Sequence, residues 1–490
     1  MSRRLGFFAL AFGSGFSVLA IEIAGARLIA PVFGLSVVPW TAVIGVILSA
    51  LALGSHLGGR LADAGRVPLW QVLVVASLTG AVPILGAGFP WVARAAFGFI
   101  PGALVSALVL FAPPVLCLGA VVPFLVQADT EDLASVGRRA GDMSAAATAG
   151  SIMGSFVTGF VLLPLMPLPM LLGLTAGALM LMALASARLL GGSPPSGQTA
   201  AVVIGLPMLG ILTSGLPPDT LHAEQTLHTS VSVTERIWGD GRLVRELWQN
   251  GGSSSAEYVE SGRPAHVYAT ASLDMIEPRI DGVERALVLG GAALTLPVAL
   301  EEARPGMLID VVEIDAEVTE LAGRFFAFGQ RDRPGIRVHH TDARIFLRSG
   351  EERYELVYLD VFDHLLTVPW TMVTVEALQD MRARTSPDGV FMANVLSPLR
   401  GDGTAFLQRF RTTLEAVFPA SRIYMTDPFT DPAATQNLIV VAAESDAMLE
   451  HLDASWVPAP VPASGHPLTD AWAPVEFLQA RVFLEGLRWR

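Results

Sequence analysis

Lysine is absent: all 32 basic side chains of the Lys/Arg class in this 490-residue chain are arginine. That excludes a Schiff-base lysine and the lysine of a phosphate-binding P-loop. Cysteine is nearly absent. Cys117 is the only one and lies in an apolar run, which excludes disulfides and cysteine-rich metal sites. Charge is also scarce, at 16% of residues against 52% hydrophobic. Average soluble domains are about a quarter charged. Residues 1–215 carry nine Arg and six acids, whereas the remainder carries 23 Arg and 39 acids. The two halves therefore face different solvents. The acidic half argues against a nucleic-acid partner and suits cationic substrates.

What the first half does have is long apolar runs. A bilayer-spanning helix needs about 20 mostly apolar residues. Seven stretches qualify as candidates: 6–30, 38–58, 70–89, 103–127, 143–164, 167–187 and 200–215. The first is too long and too polar for a cleaved signal peptide. Arg3, Arg4, Arg60, Arg66, Arg138, Arg139 and Arg188 fall on one side of such a chain and Arg94 on the other. The positive-inside bias then puts the N-terminus in the cytoplasm. Seven spans would leave the second half outside, in conflict with the use of a cytosolic metabolite. A re-entrant stretch, or a break at Pro113-Pro114, would remove the conflict. Glu22 and Arg27 sit inside the first apolar stretch, where ionisable residues are costly. They are read either as an interfacial ion pair that fixes helix packing or as part of a transport or substrate path.

Pro217-Pro218 marks the end of the apolar half. The expected organisation is a helical membrane domain over 1–216, a small β subdomain over 217–275 and an α/β domain over 276–490. SVSVTERI (230–237) and RLVRELW (242–248) alternate as antiparallel strands do, with a turn signal at Asp240-Gly241. From 286 onward strands and helices alternate. The predicted strands are ALVLGG, MLIDVVEID (307–315), the start of IRVHHTDARIFL, ELVYLDVFD (355–363) and GVFMANVL (389–396). Continuous apolar strands separated by helical patterns predict a parallel sheet covered on both faces. Ligands of such sheets bind at the carboxyl ends of strands. Gly290, Gly291, Glu313, Asp315, Asp342, Asp360 and Asp363 fall there.

Each position has a chemistry. Gly290-Gly291 lets a ligand approach the backbone at a helix N-terminus. Glu313 is placed for the two hydroxyls of a ribose, or is a solvated strand end. Asp342 and Ala343 can take an exocyclic amine, and Asp342 can equally cap the helix that follows. Asp360 and Asp363 end an apolar strand, where desolvation raises a carboxyl pKa and suits a base for an amine. His339 and His340 are adjacent, on opposite strand faces, and do not readily ligate one ion. No metal site is expected. Pro369 and Trp370 follow the acidic loop as a lid or a packed turn.

The series VLGG (288–291), VVEIDAEV (311–318), TDARIFL (341–347) and YELVYLDVFD (354–363) resembles the spermidine synthase family. Those aminopropyltransferases have a Rossmann-like methyltransferase fold behind a small N-terminal β domain. The whole chain looks like bacterial membrane-fused homologues, through EIAGARLIAPVFG (22–34), GVILSALALGSHLGGRLAD (45–63), VGRRAGDMSAAATAGSIMGS (136–155) and LTDAWAPVE (468–476). The resemblance implies that Glu313 holds ribose, with Asp315 beside it, and that Asp342 and Ala343 hold adenine. It implies that Asp360 and Asp363 bind and deprotonate the amine, and that Tyr268 orients it. The implied substrates are S-adenosylmethionine or its decarboxylated form and a polyamine such as putrescine, with release of methylthioadenosine and no metal. The implied setting is a multi-pass protein of the bacterial inner membrane with a cytoplasmic catalytic domain, in contact with lipid and open to homodimerisation.

One departure stands out. The soluble enzymes follow their glycine cluster with an aspartate that receives the aminopropyl ammonium, and here Ala292 and Ala293 follow instead. Losing that carboxylate removes a charge-assisted bond of roughly 1.5–3 kcal/mol. It also lifts repulsion against a ligand carboxylate, so intact S-adenosylmethionine becomes a candidate donor. Ala269 follows Tyr268 where those enzymes carry histidine. The alternatives are therefore a lyase or methyltransferase acting on intact S-adenosylmethionine, or a transporter or sensor with a nucleoside-binding domain.

Overall fold

The computed structural model describes residues 3–34, 37–130, 135–193, 219–226, 228–362, 368–450, 452 and 456–484, with isolated positions 197, 201, 205, 208 and 212. The chain divides into two compact units, Met1–Leu216 and Pro217–Arg490.

Among the described residues of the first unit, five helices are long and apolar enough to cross a membrane: Arg3–Phe33, Val37–Ala64, Phe99–Asp129, Val136–Leu165 and Leu168–Leu190. A sixth candidate is the pair Leu69–Leu85 and Phe89–Phe97, bent by 75°. The sequence reading differs here in one way. The irregular element is the third candidate, not the fourth, because Pro113 and Pro114 lie inside the helix Phe99–Gly119 without ending it. The seventh stretch, 200–215, falls largely outside the described residues.

Small residues let these helices touch backbone to backbone. A Cβ on Gly150 would lie 1.9 Å from the Phe12 carbonyl oxygen, and one on Gly154 would lie 2.5 Å from that of Phe16. The register 12 to 150 and 16 to 154 makes the helices Arg3–Phe33 and Val136–Leu165 parallel. Gly54 and Gly58 meet Leu116 and Ala120 in the same sense, so the Val37–Ala64 and Phe99–Asp129 helices are also parallel. One end of the bundle carries ion pairs: Arg4 with Asp142 at 2.7 Å, Arg4 with Asp129 at 3.8 Å and Arg139 with Asp129 at 3.0 Å. At the other end Arg94 donates to the Val32 carbonyl at 2.5 Å, and the Phe33 and Phe99 rings lie 5.8 Å apart.

The second unit opens with a four-stranded antiparallel sheet: β1 (Thr220–Gln225), β2 (Ser230–Ile237), β3 (Leu243–Gln249) and β4 (Gly252–Tyr258). Val231, Val233 and Leu247 form one buried cluster of this sheet, and Val244 forms another with Ala256 and Ala265. The helix Val267–Ile276 follows, then seven further strands. They are β5 (Arg285–Leu289), β6 (Leu308–Val312), β7 (Ile336–His339), β8 (Tyr354–Leu359), β9 (Thr385–Ser397), β10 (Ala420–Met425) and β11 (Gln436–Ala443). Their order is β10-β11-β9-β8-β5-β6-β7, parallel from β9 to β7 and antiparallel at β11 and β10. This is a Rossmann-like methyltransferase sheet. The predicted strands end with GVFMANVL, and β10 and β11 add an antiparallel pair beyond it. The sheet's direction of growth reverses between β5 and β8, which makes their carboxyl ends the switch point.

Candidate active site

Four strand-to-helix connections converge at that switch point. After β5 the chain turns through Gly290, at φ +92°, where a Cβ would stand 2.3 Å from the Asp360 carbonyl oxygen. Only glycine fits, because β8 runs directly alongside. Ala292 and Leu294 also take positive φ, at 42° and 60°. Non-glycine residues there store strain of roughly 1–2 kcal/mol each. Ala292 is only part-buried, so Ala292→Gly is expected to raise stability by about 1 kcal/mol, read as a higher unfolding temperature. An unchanged or lower midpoint would contradict the strain.

The Glu313 carboxylate is 7% exposed and holds this turn in place. One oxygen accepts from the Gly291 and Ala292 amides at 3.1 and 2.9 Å, the other from the Asp315 amide at 3.1 Å. Asp315 caps the helix Ala316–Phe325 and accepts from Glu317 N at 3.2 Å and Thr226 Oγ1 at 2.5 Å. Burial, then Glu317, pushes its carboxyl up to about 6. Asp315 is thus buried beneath the turn and tied to the segment after β1. Asp342 is exposed and caps the helix Ala343–Ser349 through the amides of Arg344 and Ile345, at 2.8 and 3.0 Å. Ile314 and Ile345, 48% and 63% exposed, are apolar side chains beside Glu313 and Asp342, as a flat base would require.

Asp360 follows β8. Its Oδ1 accepts from Asn394 Nδ2 at 2.9 Å, and the Tyr268 hydroxyl bonds the same carboxylate. Burial pushes the carboxyl up to about 6, against the lowering effect of those two donors. Tyr268 comes from the Val267–Ile276 helix, and its hydroxyl also reaches the Ser254 carbonyl at 3.3 Å. The His266 ring stacks on it at 5.7 Å. Burial and the Asp360 charge hold the phenol well above its ordinary value, so it stays a donor. Asp363 lies outside the described residues, as does the rest of 363–367. Trp370 begins a single 3-10 turn and is 42% exposed.

Sequence reading missed Asn394, Asn437 and Ser255. Ser255 Oγ accepts from the Ala293 amide at 3.2 Å and ties β4 to the turn. The only trace of Asn394 was a lone amide in the apolar strand FMANVL. Ala293 is 1% exposed and packs with Val231, Val233 and Leu247. Arg344, beside the site, is taken up by Asp380 at 2.9 Å and Asp470 at 3.0 Å. His339 bonds Asp310 at 2.7 Å and His340 bonds Thr319 at 3.1 Å, so the two rings serve separate partners. Among the described residues no group of three or more His, Cys, Asp or Glu is placed to hold a metal ion.

No family model matches the chain. A polyamine aminopropyltransferase of Vibrio vulnificus is 33% identical over 117 residues, covering 23% of this chain and 38% of that protein. Polyamine aminopropyltransferase 1 of Streptomyces coelicolor is 25% identical over 413 residues, 78% of this chain and 73% of that one. A human eEF1A lysine and N-terminal methyltransferase is 32% identical over 144 residues, 27% of this chain and 20% of that one. The chain thus spans little more than a third of the Vibrio relative. By sequence, this chain is similar to the polyamine aminopropyltransferases.

Proposed function

We propose that this protein is a membrane-anchored aminopropyltransferase acting on decarboxylated S-adenosylmethionine and a diamine such as putrescine. The observation that carries it is the buried, raised carboxyl of Asp360, held between Tyr268 and Asn394 at the switch point. Asp360 binds the amine and takes its proton. The freed lone pair attacks the aminopropyl carbon next to sulfur, the carbon–sulfur bond breaks, and methylthioadenosine leaves with that electron pair. Glu313 and Asp342 are the proposed ribose and adenine contacts, with the Gly290-Gly291 turn against the nucleoside and Asp363 as a second amine contact.

The strand ends carry Glu313, Asp315, Asp342 and Asp360, and the nearby Arg344 is already paired. Such a site attracts a cationic tail and repels a carboxylate, which favours the decarboxylated donor over the intact one. Methyl transfer is the second reading, favoured by the human methyltransferase relative. The lyase reading gains no support from the relatives. The test is mass spectrometry of products made by the full-length protein. Spermidine with methylthioadenosine supports the proposal. S-adenosylhomocysteine would establish methyl transfer, and methylthioadenosine from the intact donor without amine would establish a lyase.

The helical unit supplies the anchor, and its internal pairing supports six crossings. Arg4, Asp129, Arg139 and Asp142 share one end, so the helix ending at Asp129 finishes where the chain began. With Val37–Ala64 returning from the far end, the bent pair must supply one more crossing. Leu190 then returns to the N-terminal end, as the meeting of Leu189 with Gly6 requires. The 200–215 stretch is shorter than the roughly 20 residues a span needs. The arginine bias favours a cytoplasmic position for that end, and on this reading the catalytic unit is cytoplasmic. Cys117 is buried, so single cysteines at Gly65, Phe97 and Gly191 have a clean background. Gly65→Cys and Gly191→Cys are expected to label only after the membrane is opened from the cytoplasmic side, and Phe97→Cys from outside. Outside labelling at Gly191 would overturn the six-span arrangement.

A further inference from the structure

We infer that Asn437 is a positioning residue for Asp360, acting through Asn394 by fixing which end of that amide faces the carboxylate. The inference rests on the reading of Asp360 as the base. Three neighbouring strands carry the chain of groups. Asp360 follows β8; Asn394 lies in β9, where Ala393 pairs with Leu359; Asn437 lies in β11, where Ile439 pairs with Asn394. Asn437 Nδ2 donates to Asn394 Oδ1 at 2.9 Å, and Asn394 Nδ2 donates to Asp360 Oδ1 at 2.9 Å.

The direction matters because an amide has one donating end and one accepting end. Asn394 is 3% exposed, so water does not compete for either end. With Asn437 donating, the Asn394 oxygen is occupied and its NH2 must face Asp360. A donor favours the charged carboxylate. If Asn394 turned over, its oxygen would face Asp360, and only the protonated acid could satisfy it. One strand further away, Asn437 therefore decides whether the base is available near neutral pH. The other groups facing the carboxylate are Tyr268 from the Val267–Ile276 helix and Tyr358 from its own strand, both kept neutral by burial. The Asn394 NH2 occupies one lone pair of Asp360 Oδ1 and leaves Oδ2 for the amine.

Three variants of the full-length protein test this. Asn437→Asp can only accept, so Asn394 turns to donate to it; Asn437→Leu releases the amide; Asn394→Leu removes the donor. Two readouts are taken on each. One is the acid limb of the pH–rate profile. The other is the titration of the Asp360 carboxylic-acid band in infrared difference spectra, with Asp360→Asn as the blank. The expected result is an upward shift in both readouts of about one pH unit or more for Asn437→Asp and Asn394→Leu. A smaller shift is expected for Asn437→Leu. A merely structural Asn437 would lower the unfolding temperature and leave both midpoints at the wild-type pH, and that result would overturn the inference. If the wild type makes no product, the reading of function fails, and the infrared midpoint alone still decides the relay.

Discussion

Asp360→Asn is expected to lower turnover by about 10²–10⁴-fold, the range for loss of a positioned general base. It should leave nucleoside binding nearly unchanged, because Glu313 and Asp342 are untouched. The same variant should unfold at a higher temperature. The sign follows from the titration. The folded carboxyl sits at about 6, above the unfolded value of about 3.9. The folded state therefore holds the proton more tightly than the unfolded one. Stability from this group is full below the unfolded value, is lost as pH rises toward 6, and stays lost above it. An uncharged Asn removes that loss, so the gain at pH 7–8 is up to about 2 kcal/mol. At pH 4 the gain should vanish. For the wild type, activity should be half-maximal near pH 6, approach its full value about a unit above, and fall about tenfold per unit well below it. Calorimetry at the two pH values and product assays on the same preparation check both halves. A variant that is inactive and also less stable at pH 8 would mean that Asp360 is a structural residue.

Arg344→Ala should be the most destabilising single change in the catalytic unit. Arg344 is 9% exposed. Its Nε bonds Asp380, its Nη2 bonds Asp470, and its Nη1 reaches the Thr371 carbonyl at 2.5 Å. Thr374 Oγ1 adds a bond to Asp470 at 2.7 Å, and the Asp470 amide bonds Glu376 at 2.9 Å. One guanidinium thus joins the start of the Ala343–Ser349 helix, the turn at 370–374 and the LTDAWAPVE segment. Removing it leaves the two carboxylates with only the exposed Arg348, which bonds Asp380 at 2.9 Å and lies 3.6 Å from Asp470. Breaking a buried pair this way costs about 3–5 kcal/mol, and the partial exposure of both carboxylates argues for about 3. Hydrogen exchange should show lost protection at 468–476 before the rest of the unit. Equal protection in variant and wild type would show that the C-terminal segment is held by its apolar contacts, Leu468 and Val475, alone.

The legible parts of the site were those adjacent to a strand in sequence. Glu313 and Asp360 each follow an apolar strand directly, Asp342 stands three residues past His339, the end of β7, and hydrophobic periodicity marks such ends. Asn394 and Asn437 were illegible because they lie 34 and 43 residues from their partners. Their meeting also depends on β11 inserting antiparallel beside β9, which no local pattern announces. The burial of Ala293 was likewise invisible, since it depends on how β2 and β3 pack over the turn. Hydropathy marks apolar length, whereas the six crossings proposed above rest on which ends pair, through Arg4, Asp129 and Arg139.

The direct test of the central claim is kcat/KM for decarboxylated against intact S-adenosylmethionine, with putrescine and the detergent-solubilised full chain. A carboxylate brought among these acids should cost several kcal/mol, so the decarboxylated donor is predicted to win by at least about 100-fold. Spermidine and methylthioadenosine should then form in equal amounts. Equal use of the two donors, or preference for the intact one, would contradict the account and make the alanines after Gly291 the mark of a different reaction.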